Sequence, residues 1–287
     1  MALTRLDEND SEFQIDYGMR ALPGSRLQVR GPVPDFDAPF ITVLGGTETF
    51  GKYVEEPYPA LLEARIGMPV MNLGVAHAGL SLFSDEFALL DIAAKSEVTV
   101  LQVLGAQNMS NRLYSVHSRR NDRFLGVSPA LRDIFPDVDF TDINFTGHLI
   151  STLRAASGYA FGVLVEELKW AWVQRMRRIL SLIDGEVILL WISDRDPIEA
   201  LDGYDVVEPQ FVDAEMLADL QNDFSDIVKV VTGAANSLEG KVFSVNEKDA
   251  ALCVPGPDVH ERIVEALTPI VLDHVSQSGG AECAARA

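Results

Sequence analysis

Cysteine is scarce in this chain, and long apolar runs are missing from it. Only Cys253 and Cys283 occur in 287 residues, too few for a disulfide framework or a zinc site built on Cys-x-x-Cys pairs. No apolar stretch approaches the roughly 18 residues that a membrane-spanning helix needs. The N-terminal stretch MALTRLDENDSEF is polar and acidic, unlike a secretory signal. These absences predict a soluble, cytoplasmic protein with no membrane partner.

Basic residues are also in deficit. The chain has 23 Lys and Arg against 43 Asp and Glu, which gives a net charge of -20. Such a balance keeps a protein soluble and disfavours non-specific binding to nucleic acid. We therefore expect no nucleic-acid partner, although a local basic site remains compatible with this charge.

Apolar runs and amphipathic segments alternate from residue 40 onward. The runs PFITVLGG, PVMNLG, EVTVLQVLG and EVILLWIS are nearly continuous in apolar residues, as strands are when a sheet is buried on both faces. Helical periods such as YPALLEARIG separate them. This order predicts an α/β fold with three layers and a mostly parallel sheet.

The two ends of the chain and one long internal segment do not follow this alternation of apolar runs and amphipathic segments. Residues 1–39 carry several Pro and Gly breakers and are predicted to form an irregular N-terminal arm. Residues 40–275 are predicted to form a single domain, and residues 276–287 a disordered tail. The polar segment at about 106–157 is long for a connection inside a compact domain. We expect it to be an insertion that caps the carboxyl edge of the sheet.

The stretch ITVLGGTETFG, residues 41–51, breaks from an apolar run into two glycines and a threonine. Two glycines after a buried strand indicate a sharp turn or a close approach of the backbone to another group. Thr47 follows at the carboxyl edge, where open α/β sheets bind their ligands. Thr47 is thus a candidate nucleophile or ligand contact, and a helix cap is the structural alternative.

Four short blocks make the chain resemble the SGNH/GDSL hydrolase family over roughly residues 40–275. The family has Gly-Asp-Ser-x-Thr-x-Gly after its first strand, where this sequence has GGTETFG at residues 45–51, so Thr47 falls on the nucleophilic serine. Its Asp-x-x-His block precedes the last helix, where this sequence has Asp258 and His260. The resemblance implies a flavodoxin-like, mostly parallel five-stranded sheet. It also implies a Thr47–His260 pair. Asp258 is the candidate orienting acid, although it lies one residue closer to the histidine than the acid of the family's Asp-x-x-His block.

The two middle blocks concern the oxyanion. In NLGVAHAG, residues 72–79, the family's oxyanion glycine falls on His77 by direct count, and Gly79 would serve after a local shift. The family's Gly-x-Asn-Asp block corresponds to residues 105–108, where Gln107 stands for the oxyanion Asn and Asn108 follows it. The resemblance implies that Gly79 and one of these amides would donate N–H groups to the developing charge.

The leading hypothesis is a divergent SGNH-like acyl-ester hydrolase or O-acyltransferase that acts on a small-molecule or carbohydrate substrate. Thr47 would attack the acyl carbonyl and His260 would take its proton. One alternative is a binding protein that kept the fold and lost the chemistry; another is a sulfuryl or phosphoryl transferase. No metal and no organic cofactor is implied, and a homo-oligomer is left open. The whole chain also resembles an uncharacterised bacterial family.

The segment NRLYSVHSRRNDRF, residues 111–124, concentrates arginines in an acidic chain. Guanidinium groups bind carboxylate, phosphate or sulfate through two oxygens at once. The candidate residues for an anionic group of the substrate are Arg112, His117, Arg119, Arg120 and Arg123. The alternative is an ion-pair network with aspartates nearby in the sequence, namely Asp122, Asp133, Asp137, Asp139 and Asp142. The histidines of this region match no metal-binding spacing.

Overall fold

The structure, a computed structural model, describes residues 15–199, 207–233 and 237–285. Its strands are β1 (Arg20–Ala21), β2 (Gln28–Val29), β3 (Ile41–Gly45), β4 (Val70–Gly74), β5 (Val98–Gln102), β6 (Tyr114–Val116), β7 (Phe124–Val127), β8 (Glu186–Ser193) and β9 (Asp226–Val231). Its helices are α1 (Thr47–Phe50), α2 (Tyr58–Ile66), α3 (Leu80–Asp85), α4 (Phe87–Ala93), α5 (Pro129–Ile134), α6 (Thr146–Ala156), α7 (Gly158–Leu180), α8 (Ala214–Ala218), α9 (Lys248–Leu252) and α10 (Pro257–Ala285).

The central sheet has five strands in the order β4-β3-β5-β8-β9. Every neighbouring pair is parallel. Numbered by their appearance in the chain, these strands lie in the order 2-1-3-4-5, which is the flavodoxin-like arrangement. The predicted fold class is therefore confirmed, and the sheet is wholly parallel.

Side chains on the sheet alternate between two apolar clusters. Val43, Val100 and Ile188 stand in register on three strands and pack with α2 and α10. Leu44 and Leu101 point the other way and pack with α3, α4 and α7. Because successive residues of a strand face opposite sides, continuous apolar strands need helices on both faces. The result is the predicted three-layer domain.

The N-terminal arm is more ordered than its breaker-rich sequence suggests. From residue 15 onward it forms the short antiparallel hairpin β1–β2, and Leu22, Leu27 and Val29 are buried in the core. Just after β2, Arg30 forms an isolated bridge with Asn72 of β4, the first edge strand of the sheet. Residues 15–30 of the arm are thus part of the domain packing.

The insertion contains the antiparallel hairpin β6–β7 and the helices α5 and α6. Its contact with the carboxyl edge is made by the turn between the two strands. Asn121 in this turn is fully buried, and its Oδ1 accepts hydrogen bonds from the N–H groups of Gly79 and Leu82 at 2.7 and 3.0 Å. The N–H of Asn121 donates to the carbonyl of His77 at 3.1 Å. The turn is therefore fixed to the loop that follows β4.

The C-terminal helix α10 runs past residue 275, where we expected order to end, and continues to Ala285. No helix within the described ranges is long and apolar enough to cross a membrane. The arrangement leaves the carboxyl ends of β3, β4 and β5 side by side, since these strands are parallel neighbours.

Arg30 is a buried cation of the arm whose guanidinium donates several hydrogen bonds. Its side chain is 5% exposed, and its guanidinium donates to the carbonyls of Phe50, Gly51, Val54 and Glu55 at 2.6–2.9 Å. These carbonyls belong to the loop between α1 and α2. A helix terminus and a loop that bury carbonyls need such donors, so Arg30 fixes the segment directly behind Thr47.

We predict that Arg30→Met lowers the free energy of unfolding by about 3 kcal/mol or more, because four carbonyls lose a charged donor and the bonds to Gly51 and Val54 are buried. Urea denaturation of purified protein measures this. Arg26→Met, at an exposed arginine of the same arm, is the matched control and is expected to change stability by less than about 0.5 kcal/mol. Equal stability of the two variants would contradict the role of Arg30.

Candidate active site

The two glycines that end β3 make room for a side chain from β5. A Cβ added at Gly45 would lie 1.9 Å from the Thr49 hydroxyl and 2.4 Å from Gln102 Oε1, so nothing larger than glycine fits there. The N–H of Gly46 and the hydroxyl of Thr49 both donate to Gln102 Oε1, at 2.9 and 2.6 Å. The close approach indicated by the glycine pair is thus that of Gln102, at the end of the neighbouring strand.

Thr47 is the first residue of α1, and Gly46 is the N-cap, so Thr47 does not cap this helix. Its Oγ1 accepts a hydrogen bond from the backbone N–H of His77 at 3.0 Å. His77 lies in the loop after β4 and has φ +62°, in the left-handed region that favours glycine. This is the position where the resemblance places the oxyanion glycine, and it brings a backbone donor directly to the candidate nucleophile.

The imidazole of His77 lies against the insertion. Its Nδ1 is 3.5 Å from Oδ2 of Asp122, and its side chain is 40% exposed. Burial of the ring lowers the pKa of His77 below its ordinary value; Lys52 and Arg120 act in the same direction, whereas Asp122 and Glu48 oppose the shift. The ring is therefore neutral near pH 7 and open to a substrate. Sequence reasoning gave His77 no role as a base, because Asp122 meets it only through the fold of the insertion.

Two amide–carboxylate pairs line the same edge. Gln102 donates through Nε2 to Glu48 Oε2 at 2.9 Å, and Gln107 donates through Nε2 to Glu208 Oε1 at 2.5 Å. Glu208 is an exposed residue overall, but its carboxyl group also accepts a hydrogen bond from the N–H of Gln210. Desolvation of this group, with a smaller contribution from Glu48, raises the pKa of Glu208 to about 7.

The three predicted oxyanion groups differ in their availability. The N–H of Gly79 donates to Asn121, and one hydrogen of Gln107 Nε2 donates to Glu208. Asn108 Oδ1 accepts from the Thr146 hydroxyl at 2.5 Å, which leaves its Nδ2 without an acceptor among the described residues. The side-chain amides of Gln107 and Asn108 thus each keep hydrogen that no described residue accepts, and the backbone donor at Thr47 belongs to His77.

His260 does not meet Thr47. It is 1% exposed, its Nδ1 accepts from the N–H of Tyr58 at 3.0 Å, and its ring stacks on that of Tyr58. Both partners are described residues, and no hydrogen bond joins His260 to Thr47. Asp258 is exposed and acts on Lys241 rather than on His260. The Thr47–His260–Asp258 arrangement implied by the resemblance is not assembled.

The reason is packing. The first turn of α10 places His260 against α2, so its ring is enclosed between two helices on the face of the sheet. Burial, with the charges of Arg30 and Lys241, lowers the pKa of His260 to about 3. Its neutral ring serves as an acceptor for the start of α2.

The predicted arginine cluster is divided. Arg112 pairs with Glu167 and lies over the ring of Trp170, whereas Arg123 lies over the ring of Phe145. His117 and Arg119 are exposed, and His117 Nδ1 accepts from the N–H groups of Arg119 and Arg120. Arg120 alone reaches the candidate site, with its guanidinium 3.7 Å from Asp122 Oδ2.

Among the aspartates predicted to pair with these arginines, the described ion pairs include only Asp122. Across the residues that the structure describes, no group of three or more His, Cys, Asp or Glu side chains is arranged to hold a metal ion.

Residues 4–275 match the family described as "Domain of unknown function (DUF6473)", and the chain belongs to that family. No curated protein matches it. Among solved structures, the crystal structure of the lipase Lip_vut3 from a goat rumen metagenome matches with a TM-score of 0.41 and 16% identity, over 80% of this chain and 96% of that chain. A likeness of this size says nothing about the chemistry of this chain.

The burial of His260 predicts that the stability of the protein depends on pH. Its pKa is about 3 in the folded protein and about 6.5 in an unfolded chain, so between these values only the unfolded chain binds the proton. Stability therefore falls as the pH drops from about 6.5 toward 3. His260→Gln keeps an acceptor for Tyr58 and cannot be protonated, so its loss of stability between pH 7 and pH 5 should be smaller by about 2 kcal/mol.

Urea denaturation of wild type and variant at the two pH values measures this difference. His148→Gln, at an exposed histidine, is the control and should keep the pH dependence of the wild type. If His260→Gln loses as much stability as the wild type on acidification, His260 is not buried in its neutral form.

Proposed function

We propose that the protein is a divergent SGNH-like acyl-ester hydrolase or O-acyltransferase in which Thr47 is the nucleophile. The observation that carries this proposal is the 3.0 Å hydrogen bond from the N–H of His77 to Thr47 Oγ1. It stands at the carboxyl edge of a parallel sheet, beside the point where the strand order reverses between β3 and β5. The left-handed backbone at position 77 supports the alignment of this residue with the family's oxyanion glycine.

The surroundings of Thr47 suit attack on an acyl carbonyl. A hydroxyl that accepts a hydrogen bond from a backbone N–H keeps its own hydrogen free for a base. The same N–H is a donor for the negative charge that develops on the carbonyl oxygen, and the amide of Gln107 or Asn108 is the proposed second donor. The methyl group of a threonine crowds its hydroxyl, so the steric barrier to nucleophilic attack is higher than for a serine.

An anionic group on the substrate is part of the proposal. Arg120 stands next to the His77–Asp122 pair, and Lys52 is close enough to act on the pKa of His77. These two cations flank the site in a chain of net charge -20. They support a small-molecule or carbohydrate ester that carries a carboxylate or another anion.

A binding protein without chemistry is the second candidate, and the burial of His260 favours it. The separation of the arginines counts against the sulfuryl or phosphoryl transferase, since no group of them surrounds one point near Thr47.

A panel of short-chain acyl esters, neutral and anionic, tests the proposal. Thr47→Ala should lower kcat/KM by about 10³-fold or more, because the nucleophile is removed. Thr47→Ser keeps the hydroxyl without the methyl and should match or exceed the wild type. Thr141→Ala, at an exposed threonine of the insertion, is the control and should leave the activity unchanged.

Equal activity of Thr47→Ala and wild type would refute Thr47 as the nucleophile. Absence of turnover on every ester, together with a rise of the melting temperature when an anionic ester is added, would support the binding protein instead.

A further inference from the structure

We infer that His77, oriented by Asp122, is the general base for Thr47 and takes the place of the buried His260. This inference rests on the proposed acyl-transfer function. It assigns the proton transfer to a histidine of the loop after β4 and to a carboxylate of the insertion, neither of which occupies the family's Asp-x-x-His block.

Contact with the nucleophile is the first support. The backbone N–H of His77 already holds Thr47 Oγ1, so the imidazole is carried by a residue that touches the reacting oxygen. Oγ1 acts as the acceptor in this bond, and among the described residues nothing accepts its own hydrogen. No hydrogen bond joins the imidazole to Oγ1 in the described chain, so the proposal includes the formation of this bond when an ester binds. The side chain of His77 is 40% exposed, which leaves the ring accessible to an ester.

Asp122 supplies the orientation. With its Oδ2 at 3.5 Å from Nδ1, the carboxylate favours the tautomer that carries hydrogen on Nδ1 and leaves Nε2 free to accept a proton. Asp122 is therefore a positioning residue. Its second oxygen, Oδ1, is buried and has no hydrogen-bond partner in the described chain, so the carboxylate has no competing donor on that side.

The turn that carries Asp122 is held on both sides of the histidine. Asn121 donates its N–H to the carbonyl of His77 at 3.1 Å and accepts from the N–H of Gly79 at 2.7 Å. The carbonyl of Asp122 accepts from the N–H of Thr146 at 2.9 Å. A carboxylate on a backbone fixed in this way keeps its distance to the ring, as a catalytic orienting group requires.

The charged groups that face the ring are Asp122, Arg120, Lys52 and Glu48. Both cations favour the neutral ring, and both carboxylates favour the protonated ring; burial is the largest effect and lowers the pKa. At neutral pH the ring is thus unprotonated and competent as a base.

The left-handed backbone at position 77, which Tyr53 and Phe211 also adopt, carries a conformational cost for a residue with a side chain. A residue with a side chain rarely adopts φ +62°, and such strain is found at functional sites. Glycine would relieve it and would still supply the N–H donor. The chain nevertheless places an imidazole there.

The proposed reaction has two half-reactions, acylation and deacylation of Thr47. Thr47 Oγ1 bonds to the acyl carbon while its proton passes to His77 Nε2, and the carbonyl π pair moves onto oxygen. The pair returns, the bond to the alkoxide leaving group breaks, and that group takes the proton from Nε2. Water, or an acceptor hydroxyl, then attacks the acyl-threonine and gives its proton to Nε2. Collapse of this second adduct breaks the ester bond to Thr47, and the proton returns to Oγ1 as acid or ester leaves.

The decisive variant is His77→Gly, which removes the ring and keeps the left-handed backbone with its N–H. We expect it to be folded and at least as stable as the wild type, and to lose about 10²- to 10⁴-fold in kcat/KM. Free imidazole should restore part of this loss in His77→Gly and none in Thr47→Ala. His148→Gln is the control for loss of a histidine and should keep full activity.

Asp122→Asn tests the orienting role through the pH profile. The carboxylate raises the pKa of His77, so its removal should move the acid limb of kcat/KM to lower pH while the plateau falls by about 10- to 100-fold. Asp133→Asn, at an exposed carboxylate of α5, should change neither quantity. A lower plateau with an unmoved acid limb would overturn the assignment.

NMR of the imidazole nitrogens tests the pair without any substrate. The chain has five histidines, and His77→Gly identifies the resonances of His77. We expect the neutral ring to carry hydrogen on Nδ1 and to titrate below its ordinary pKa, and lower still in Asp122→Asn. A ring with hydrogen on Nε2 would overturn the inference even if no ester is turned over.

The two proposals fail separately. Full activity of His77→Gly, with Thr47→Ala inactive, refutes the base and leaves the acyl chemistry standing. An ester panel without turnover, with the expected tautomer and titration, refutes the acyl chemistry and keeps the His77–Asp122 pair.

Discussion

One buried cation, the guanidinium of Arg30, connects the N-terminal arm to the segment behind the candidate nucleophile. Among the described side chains no carboxylate pairs with it; four backbone carbonyls and the rings of Tyr17 and Phe50 surround it instead. Desolvation lowers its pKa, yet an arginine remains charged under such conditions. The loop from Phe50 to Glu55 takes its shape around this charge. The position of α1, and of Thr47 at its start, depends on that loop.

Close packing also determines the structure at the end of β3. Gly45 leaves room for Gln102, and Gln102 then satisfies the N–H of Gly46 and orients Glu48. Thr47 is consequently presented from a turn in which the N–H of Gly46 and the carbonyls of Gly45 and Gly46 already have partners inside the protein. A rigid turn, a backbone donor from the neighbouring loop and a polar edge are the features that acyl-transfer sites share.

The sheet could be predicted from the sequence because its signal is local. Continuous apolar runs such as ITVLG show burial on both faces, and the glycine pair shows a close approach. The roles of the histidines are not local. His260 precedes the last helix as the resemblance requires, but its ring meets Tyr58, which lies 202 residues away along the chain, and no sequence period specifies that contact. Asp122 reaches His77 only because Asn121 docks on the loop after β4.

The turn that carries Asn121 and Asp122 has a consequence for how this family can diversify. It is closed on itself by the hydrogen bond from the N–H of His117 to the carbonyl of Arg123, at 2.9 Å, and it lies ahead of α5 and α6 in the chain. The later part of the insertion is joined to this turn, because the N–H of Thr146 donates to the carbonyl of Asp122 and the N–H of Phe124 donates to the carbonyl of Asn144. A change of length in α5 or in the loop after it would have to keep Asn144 and Thr146 in place to leave Asp122 beside His77. The two ends of the insertion meet at the turn that faces His77, so a substitution at one end would constrain the residues accepted at the other.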